Sequence, residues 1–556
     1  MYLLLLLSFC LPFVVSIDGV EYDKQDFYSK YSMSDWSLAS DKQKKSILED
    51  YIKRESAVIE AFSLGFDLDP IVVGQLNNIK KQLLVNFYYD NNVAKPFISE
   101  LDLSLTYKHL GQDRKIQHLL ISHIESDLPQ KKDRTKKEAV QLINNIREQL
   151  GGVGDNRFDS LVVVYSDDPG ASRNLGHLGW LNWGRTPMSF QSSAWGLKVG
   201  VLSAPIETQF GYHLVKVLDV QPSQFFYYDS SSYNYETTKR ALGSIRETLP
   251  VVARDFENNI FEKEVIVNRS GIDSLFLLLT EYKSSLSAGE RFVFIDFLKS
   301  LDTRLVLFSY NEDYYGFRFF INDILQYNPS RVPEFQNSND LLGYFKTLIL
   351  RKVIALKAEE HELGDELFFV KRLKTETSLV LYDFYLKTLV NSVSTPDSLS
   401  IEKYYIENRD NKYFIPEKVV VRQIKLKSRE LADSLASVVS KENFNALASS
   451  FSINRKKEGG LMDPFERGKF NYLGETAFSL SVGEISDVIE NLDKTFSIIM
   501  LEKKINKELL PLSRVYKRIE SLLLKEGQEN IKKNTFDRYL NNKNLKIGAE
   551  YEIYFN

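Results

Sequence analysis

Two histidines stand near the ends of residues 116–220. His118 lies in Gln117-His118-Leu119-Leu120-Ile121, and His213 in Phe210-Gly211-Tyr212-His213-Leu214-Val215-Lys216. Each sits in a short apolar run of strand type. Between them come Tyr165-Ser166-Asp167-Asp168-Pro169-Gly170 and the glycine cluster Leu175-Gly176-His177-Leu178-Gly179-Trp180. Imidazoles and carboxylates are the side chains that proton transfer at a reacting group uses most. Singly, these signals are weak: a histidine at a strand start is more often structural, and a glycine cluster usually makes a turn. The order and spacing of all four together carry the information. The rest of the inventory narrows the chemistry. With 6 histidines and Cys10 as the single cysteine, a metal enzyme is disfavoured and no cofactor is implied. No phosphate-binding loop of the Gly-Lys-Ser/Thr type occurs, which argues against an ATP-driven machine. A net charge of −4 gives no nucleic-acid footprint.

The elements that must hold these residues can be read from periodicity. Ile116–Ile121 predicts a strand. Thr135 and Glu138 fit a capping box ahead of Ala139, Leu142, Ile143, Ile146 and Leu150, an amphipathic helix. Phe158, Leu161, Val162 and Tyr165 predict a second helix, and Phe190–Leu197 a third after the glycine turn. A strand around His213–Val217 closes a small α+β domain.

The chain of 556 residues is too long for one core. Its first apolar run, Leu3–Val15, is too short for a stable membrane anchor and has the length of a signal-peptide core. Cleavage is expected before Ile17, giving a signal peptide at 1–16, with an uncleaved anchor as the alternative because no basic residues precede the run. Residues 17–110 read as helical, with Ser40 and Gln43 capping a helix that carries Leu48, Tyr51 and Ile52. The small α+β domain is set at 111–220. Residues 221–415 are mainly helical, with a hairpin expected from Arg304–Tyr310 and Tyr315–Phe320. A second small domain is placed at 416–508, opening with the strand Val419–Leu426, and a helix and tail at 509–556. Leu64-Gly65 before one helix is echoed by Leu363-Gly364 before another, and His118 and Gln423 fall in register, so the chain reads as a helical segment plus a small domain, twice over.

The four motifs of 116–220 resemble the parvulin family of peptidyl-prolyl isomerases, and Thr208-Gln209-Phe210-Gly211-Tyr212-His213 matches its final motif residue by residue. The resemblance implies a four-stranded antiparallel sheet with surrounding helices. It implies His118 and His213 as the central histidines, Thr208 as a hydroxyl bonding between them, and Asp168 as a carboxylate that tunes the field at the twisting amide. It gives the proline pocket to Leu178, Leu181, Thr186, Phe190 and Phe210. Leu175, His177, Leu181 and Thr186 depart from the family's usual Gly, Asp, Phe and Met, so a less apolar pocket is expected. Residues 416–508 also resemble a parvulin, through Phe444, Leu447, Ala448 and Phe451, Gly459-Gly460-Leu461-Met462 and Gly483-Glu484-Ile485-Ser486. Gln423 and Ser497 replace both histidines there, so this copy is degenerate. Ile17-Asp18-Gly19-Val20, Gly65-Phe66-Asp67 and Tyr88-Tyr89 resemble SurA-type periplasmic chaperones. Together these imply a multidomain α+β protein, an exported isomerase acting on unfolded or nascent exported polypeptides, outer-membrane proteins among them. The alternative is an ATP-independent holdase whose isomerase domain is secondary.

Overall fold

The computed structural model describes residues 13–150, 157–286, 293–301, 305–326 and 334–555. They fall into two units, Met1–Lys387 with Phe536–Asn556, and Thr388–Thr535.

In the first unit, strands β1 (Val15–Ile17) and β2 (Val20–Tyr22) form a hairpin, and the C-terminal strand Lys546–Ile547 pairs with β1 on its other side. Val14, Val15, Phe27, Tyr51 and Ile52 share a core with Tyr551. The apolar run to residue 12 lies outside the described residues. The helices Asp41–Ser63, Pro70–Tyr88 and Glu100–His109 follow. Gln43 accepts from the Ser40 N–H at 2.8 Å, and Ser99 accepts from the Asp102 N–H at 3.0 Å, so each start is satisfied by a side chain.

The first small domain comprises β3 (Gln112–Ile121), the helices Lys136–Glu148 and Phe158–Tyr165, β4 (His177–Asn182), the helix Met188–Gly196, β5 (Ile206–Thr208) and β6 (Gly211–Pro222). The sheet is antiparallel in the order β4-β3-β6-β5. Periodicity revealed only the two central strands. The edge strand β4 contains Gly179 and has no alternation of buried and exposed positions, and β5 is three residues long. Leu119, Ile121 and Leu214 face the helices carrying Ala139, Ile143, Phe158 and Val162. The alternate positions Ile116 and Val215 face the opposite way, onto Phe190, Trp183 and Trp195. The two-residue period of a strand therefore sends His118 and His213 to the Phe190 side of the sheet.

Beyond the helices Ser230–Ala241 and Leu249–Glu264, strands β7 (Val265–Val267), β8 (Val306–Tyr310) and β9 (Asp313–Gly316) make a three-stranded sheet in the order β7-β8-β9. The hairpin is present, but its second strand is shorter than expected: Phe317–Gln326 is a helix. Phe320 is fully buried against Phe308 and Phe345, and a helix starting after Gly316 delivers it there. Arg304 lies outside the described residues, and β7 was not foreseen as the third strand. The helices Ser338–Glu360 and Leu367–Asn391 complete this region.

The second unit contains the helix Ser398–Lys412, the short strand β10 (Phe414–Ile415), β11 (Lys418–Leu426), the helix Phe444–Phe451, β12 (Phe465–Glu466), the helix Asn471–Ser479, β13 (Ile489–Glu490), β14 (Phe496–Ile505) and β15 (Glu508–Leu509). Its main sheet runs β12-β11-β14-β13, the topology of the first small domain, and β10 pairs with β15. The helix Leu512–Leu540 begins in this unit. Among the described residues, no helix is long and apolar enough to cross a membrane.

Candidate active site

Two glycines set the frame. Gly176 has φ of +74°, and a Cβ there would meet the His118 carbonyl oxygen at 2.1 Å. The loop can thus press against β3, and its carbonyl accepts the His118 N–H at 2.9 Å. Gly211, at φ +127°, would put a Cβ 2.4 Å from the Ile121 oxygen. It makes the tight β5–β6 turn that folds Thr208 back beside His213.

The result is a linear hydrogen-bonded chain. Asp168 Oδ2 accepts from His118 Nε2 at 2.7 Å, His118 Nδ1 and His213 Nδ1 are 3.3 Å apart, and His213 Nε2 meets Thr208 Oγ1 at 2.8 Å. The imidazoles stack at 20° with centroids 5.5 Å apart. Thr208 thus sits at the outer end of the chain, bonded to His213, and not between the two rings as the resemblance implied. Both histidines are buried, at 6% and 4% exposure. Burial pushes His213 down to about 3, helped by the positive field of His118 and opposed by Asp168. His213 is therefore neutral at pH 7, with one donor and one acceptor nitrogen. Asp168 is held below the usual carboxylate range, first by its bond to His118 and also by the Gly170 N–H, which it accepts at 2.9 Å. A carboxylate in that state is an acceptor and a source of negative field.

The segment that carries Asp168 is pinned on both sides. Ser166 Oγ accepts the Leu120 N–H at 3.1 Å, and the Asp167 carboxylate, its side chain 3% exposed, accepts from the Ser122 N–H and from Arg134, each at 2.8 Å. Phe190 presents its ring at 85° to His213 and 76° to His118, with centroids 5.3 and 6.2 Å away. Leu178 and Leu181 pack on the same apolar cluster. Thr186 and Phe210 line an adjoining cavity of about 660 Å³, together with Met188. All nine residues singled out from the sequence belong to this one small domain. Met188, which packs on the same apolar cluster and lines the cavity, was not singled out from the sequence. Arg240 and Arg246, on the same cavity, come from beyond the domain and left no signal in its motifs.

Residues 118–219 and residues 396–517 each match a family described as a PPIC-type PPIase domain. The chain is 26% identical over 258 residues to the putative peptidyl-prolyl cis-trans isomerase Cbf2 of Campylobacter jejuni, a match spanning 45% of this chain and 82% of that protein. It is 38% identical over 106 residues to the chaperone SurA of Methylobacillus flagellatus, spanning 19% of this chain and 22% of that protein. A solved SurA-like chaperone of Campylobacter jejuni is 19% identical, with a TM-score of 0.32 over 43% of this chain and 97% of that one. The chain is a multidomain α+β protein that carries two parvulin-type domains. Its enzyme class is that of the peptidyl-prolyl cis–trans isomerases.

Proposed function

We propose that isomerisation is carried out by the first small domain, at His118, His213, Asp168 and Thr208, with Leu178, Leu181, Thr186, Phe190 and Phe210 holding the substrate proline. The observation that carries this reading is the buried Asp168–His118–His213–Thr208 chain lying edge-on to Phe190. Rotation about an Xaa-Pro bond faces a barrier of about 18–20 kcal/mol, set by amide resonance. No bond need break. An apolar wall that strips water from the carbonyl, with an oriented imidazole pair beside it of which His213 is neutral, lowers the cost of losing that resonance. Asp168 supplies field, not a nucleophile.

The substrates in this reading are unfolded, exported polypeptides. The N-terminal apolar run and the exported folding factors among the relatives favour a periplasmic setting with outer-membrane proteins as clients. Burial of Val14 and Val15 in the N-terminal core favours a leader cut upstream of Val14 over one before Ile17. A holding role accompanies the isomerase. It is favoured by the second small domain, which keeps a cavity of about 310 Å³ at the place of the active site, rimmed by exposed Phe470, Tyr472 and Leu492.

Two assays on the full chain separate these roles. His118→Ala and His213→Ala should each cut isomerisation of a proline peptide at least about tenfold. Unchanged rates in both would sink the site. Suppression of aggregation of an unfolded outer-membrane protein should survive the double substitution. Its loss alongside isomerisation would tie holding to the first site.

A further inference from the structure

The cavity beside the proline pocket is closed by chain that lies outside the isomerase domain. One wall is Thr186, Met188 and Phe210. The other is the end of the helix Ser230–Ala241 and the turn after it, with Arg240, Ser244 and Arg246. The two walls are packed together. The Cβ and Cδ of Arg240 lie 3.1 Å from where a Cβ on Gly184 would be, so the arginine stem rests on the backbone that leads into Arg185 and Thr186. Phe225 supports its guanidinium at 5.2 Å.

The charge on this cavity is one-sided. Arg185, Arg240 and Arg246 line it against a single carboxylate, Glu247. Burial lowers the proton affinity of Arg240, Glu236 at 3.9 Å and the charge of Asp113 oppose this, and the nearby Arg185 lowers it further. Arg185 and Arg246 are exposed and form no ion pair among the described residues. The Thr186 hydroxyl on the same lining is buried without a hydrogen-bond partner among the described residues. A cationic cleft with an unfilled donor, within one or two residues' reach of the proline pocket, suits an anionic side chain.

Resting on the reading of the first domain as the isomerase, we infer that Arg185, Arg240 and Arg246 form a clamp that selects client segments with an acidic side chain beside the target proline. The specificity is then set jointly by the isomerase domain and by residues 240–246.

The test uses the full chain and two fluorescent peptides identical except for Glu-Pro against Gln-Pro. Binding is read by anisotropy, and isomerisation is read separately. The wild type should bind the Glu-Pro peptide about fivefold or more tightly at low salt, and the preference should shrink as salt rises. Arg185→Glu with Arg246→Glu, both at exposed positions, should reverse the order of affinity, with an unchanged circular dichroism spectrum. No preference in the wild type, no binding of either peptide, or a preference that survives the double reversal overturns the clamp. Absence of isomerisation with the binding preference intact overturns the catalytic reading and leaves the clamp standing.

Discussion

The two small domains share one sheet topology and differ in what fills its centre. In the first, Leu120 faces His213 across β3–β6; in the second, Lys425 faces Ser497 across β11–β14. His118 donates its N–H to the Gly176 carbonyl at 2.9 Å, and Gln423 donates its N–H to the Gly460 carbonyl at 2.8 Å. Ser166 and Ser452 cap the equivalent strand N–H groups, at 3.1 and 3.0 Å. At the centre, however, Gln423 Nε2 donates to Ser497 Oγ at 2.8 Å and Asn491 Nδ2 donates to it at 2.7 Å. Amides and a hydroxyl thus reproduce three members of the chain, and Asn454 stands at the position of Asp168. Leu473 replaces Phe190 and Met462 replaces Leu178 in the floor. The comparison teaches that the hydrogen-bonded chain is needed by the fold, since a buried polar position must be satisfied whatever occupies it. What the first copy adds is a titratable, polarisable pair and a carboxylate.

The largest effect should come from making the first centre resemble the second. His118→Gln with His213→Ser keeps a bonded chain but removes the imidazoles and their field. Isomerisation by the full chain should fall by at least about 100-fold, the scale of losing a preorganised electrostatic group. Adding Leu473→Arg in the floor of the second domain should leave the residual rate unchanged. A rate that survives the first pair and disappears with Leu473→Arg would locate turnover in the second copy and break the comparison.

Acid should separate the two domains next. His213 stays neutral when folded down to about pH 3, while an unfolded histidine protonates near 6.5. Between those values the unfolded chain binds the extra proton, so stability is intact above about pH 6.5 and falls as pH falls toward 3. Asp168, held low by His118, acts in the same direction at lower pH. From pH 7 to pH 5 the first domain should lose about 2 kcal/mol through His213, at no more than about 1.4 kcal/mol per pH unit. The centre of the second domain, Gln423, Ser497, Asn491 and Asn454, does not titrate there. Thermal unfolding of the wild type and of His213→Ser across that range measures the difference. An equal pH slope in both proteins would mean that His213 is not the titrating group.

How much of this was legible follows from where the constraints lie. His118, His213 and Thr208 could be found because they sit inside contiguous motifs whose glycines have single physical reasons, as at Gly176 and Gly211. The strands β4 and β5 could not be read from periodicity, because an edge strand without alternating burial has none. The start of the helix Phe317–Gln326, as far as Phe320, was mistaken for a strand because aromatic residues suit both, and only the burial of Phe320 against Phe345 decides. The place of Thr208 at the end of the chain depended on register: Thr208 pairs with Gly211 across a two-residue turn, and composition does not carry that. Arg240 and Arg246 were invisible because the contact with Gly184 joins segments that no motif links.

The smallest expected effect tests whether the outer end of the chain matters to chemistry or only to order. Thr208→Val removes the hydroxyl on His213 Nε2 and also the acceptor of the Phe210 N–H, which it holds at 3.1 Å. Loss of one such bond costs about 1 kcal/mol. The counterpart, Asn491→Leu, removes a donor to Ser497 and should cost a similar amount in the second unit. If the chain is chiefly a structural requirement, both substitutions shift thermal unfolding alike, and Thr208→Val slows isomerisation less than about tenfold, in line with that free energy. The ring nitrogens of His213, followed by NMR, should then show a change in tautomer balance without protonation at pH 7. A loss of rate well beyond tenfold with an unchanged unfolding temperature would give Thr208 a part in the reacting geometry that Asn491 does not share.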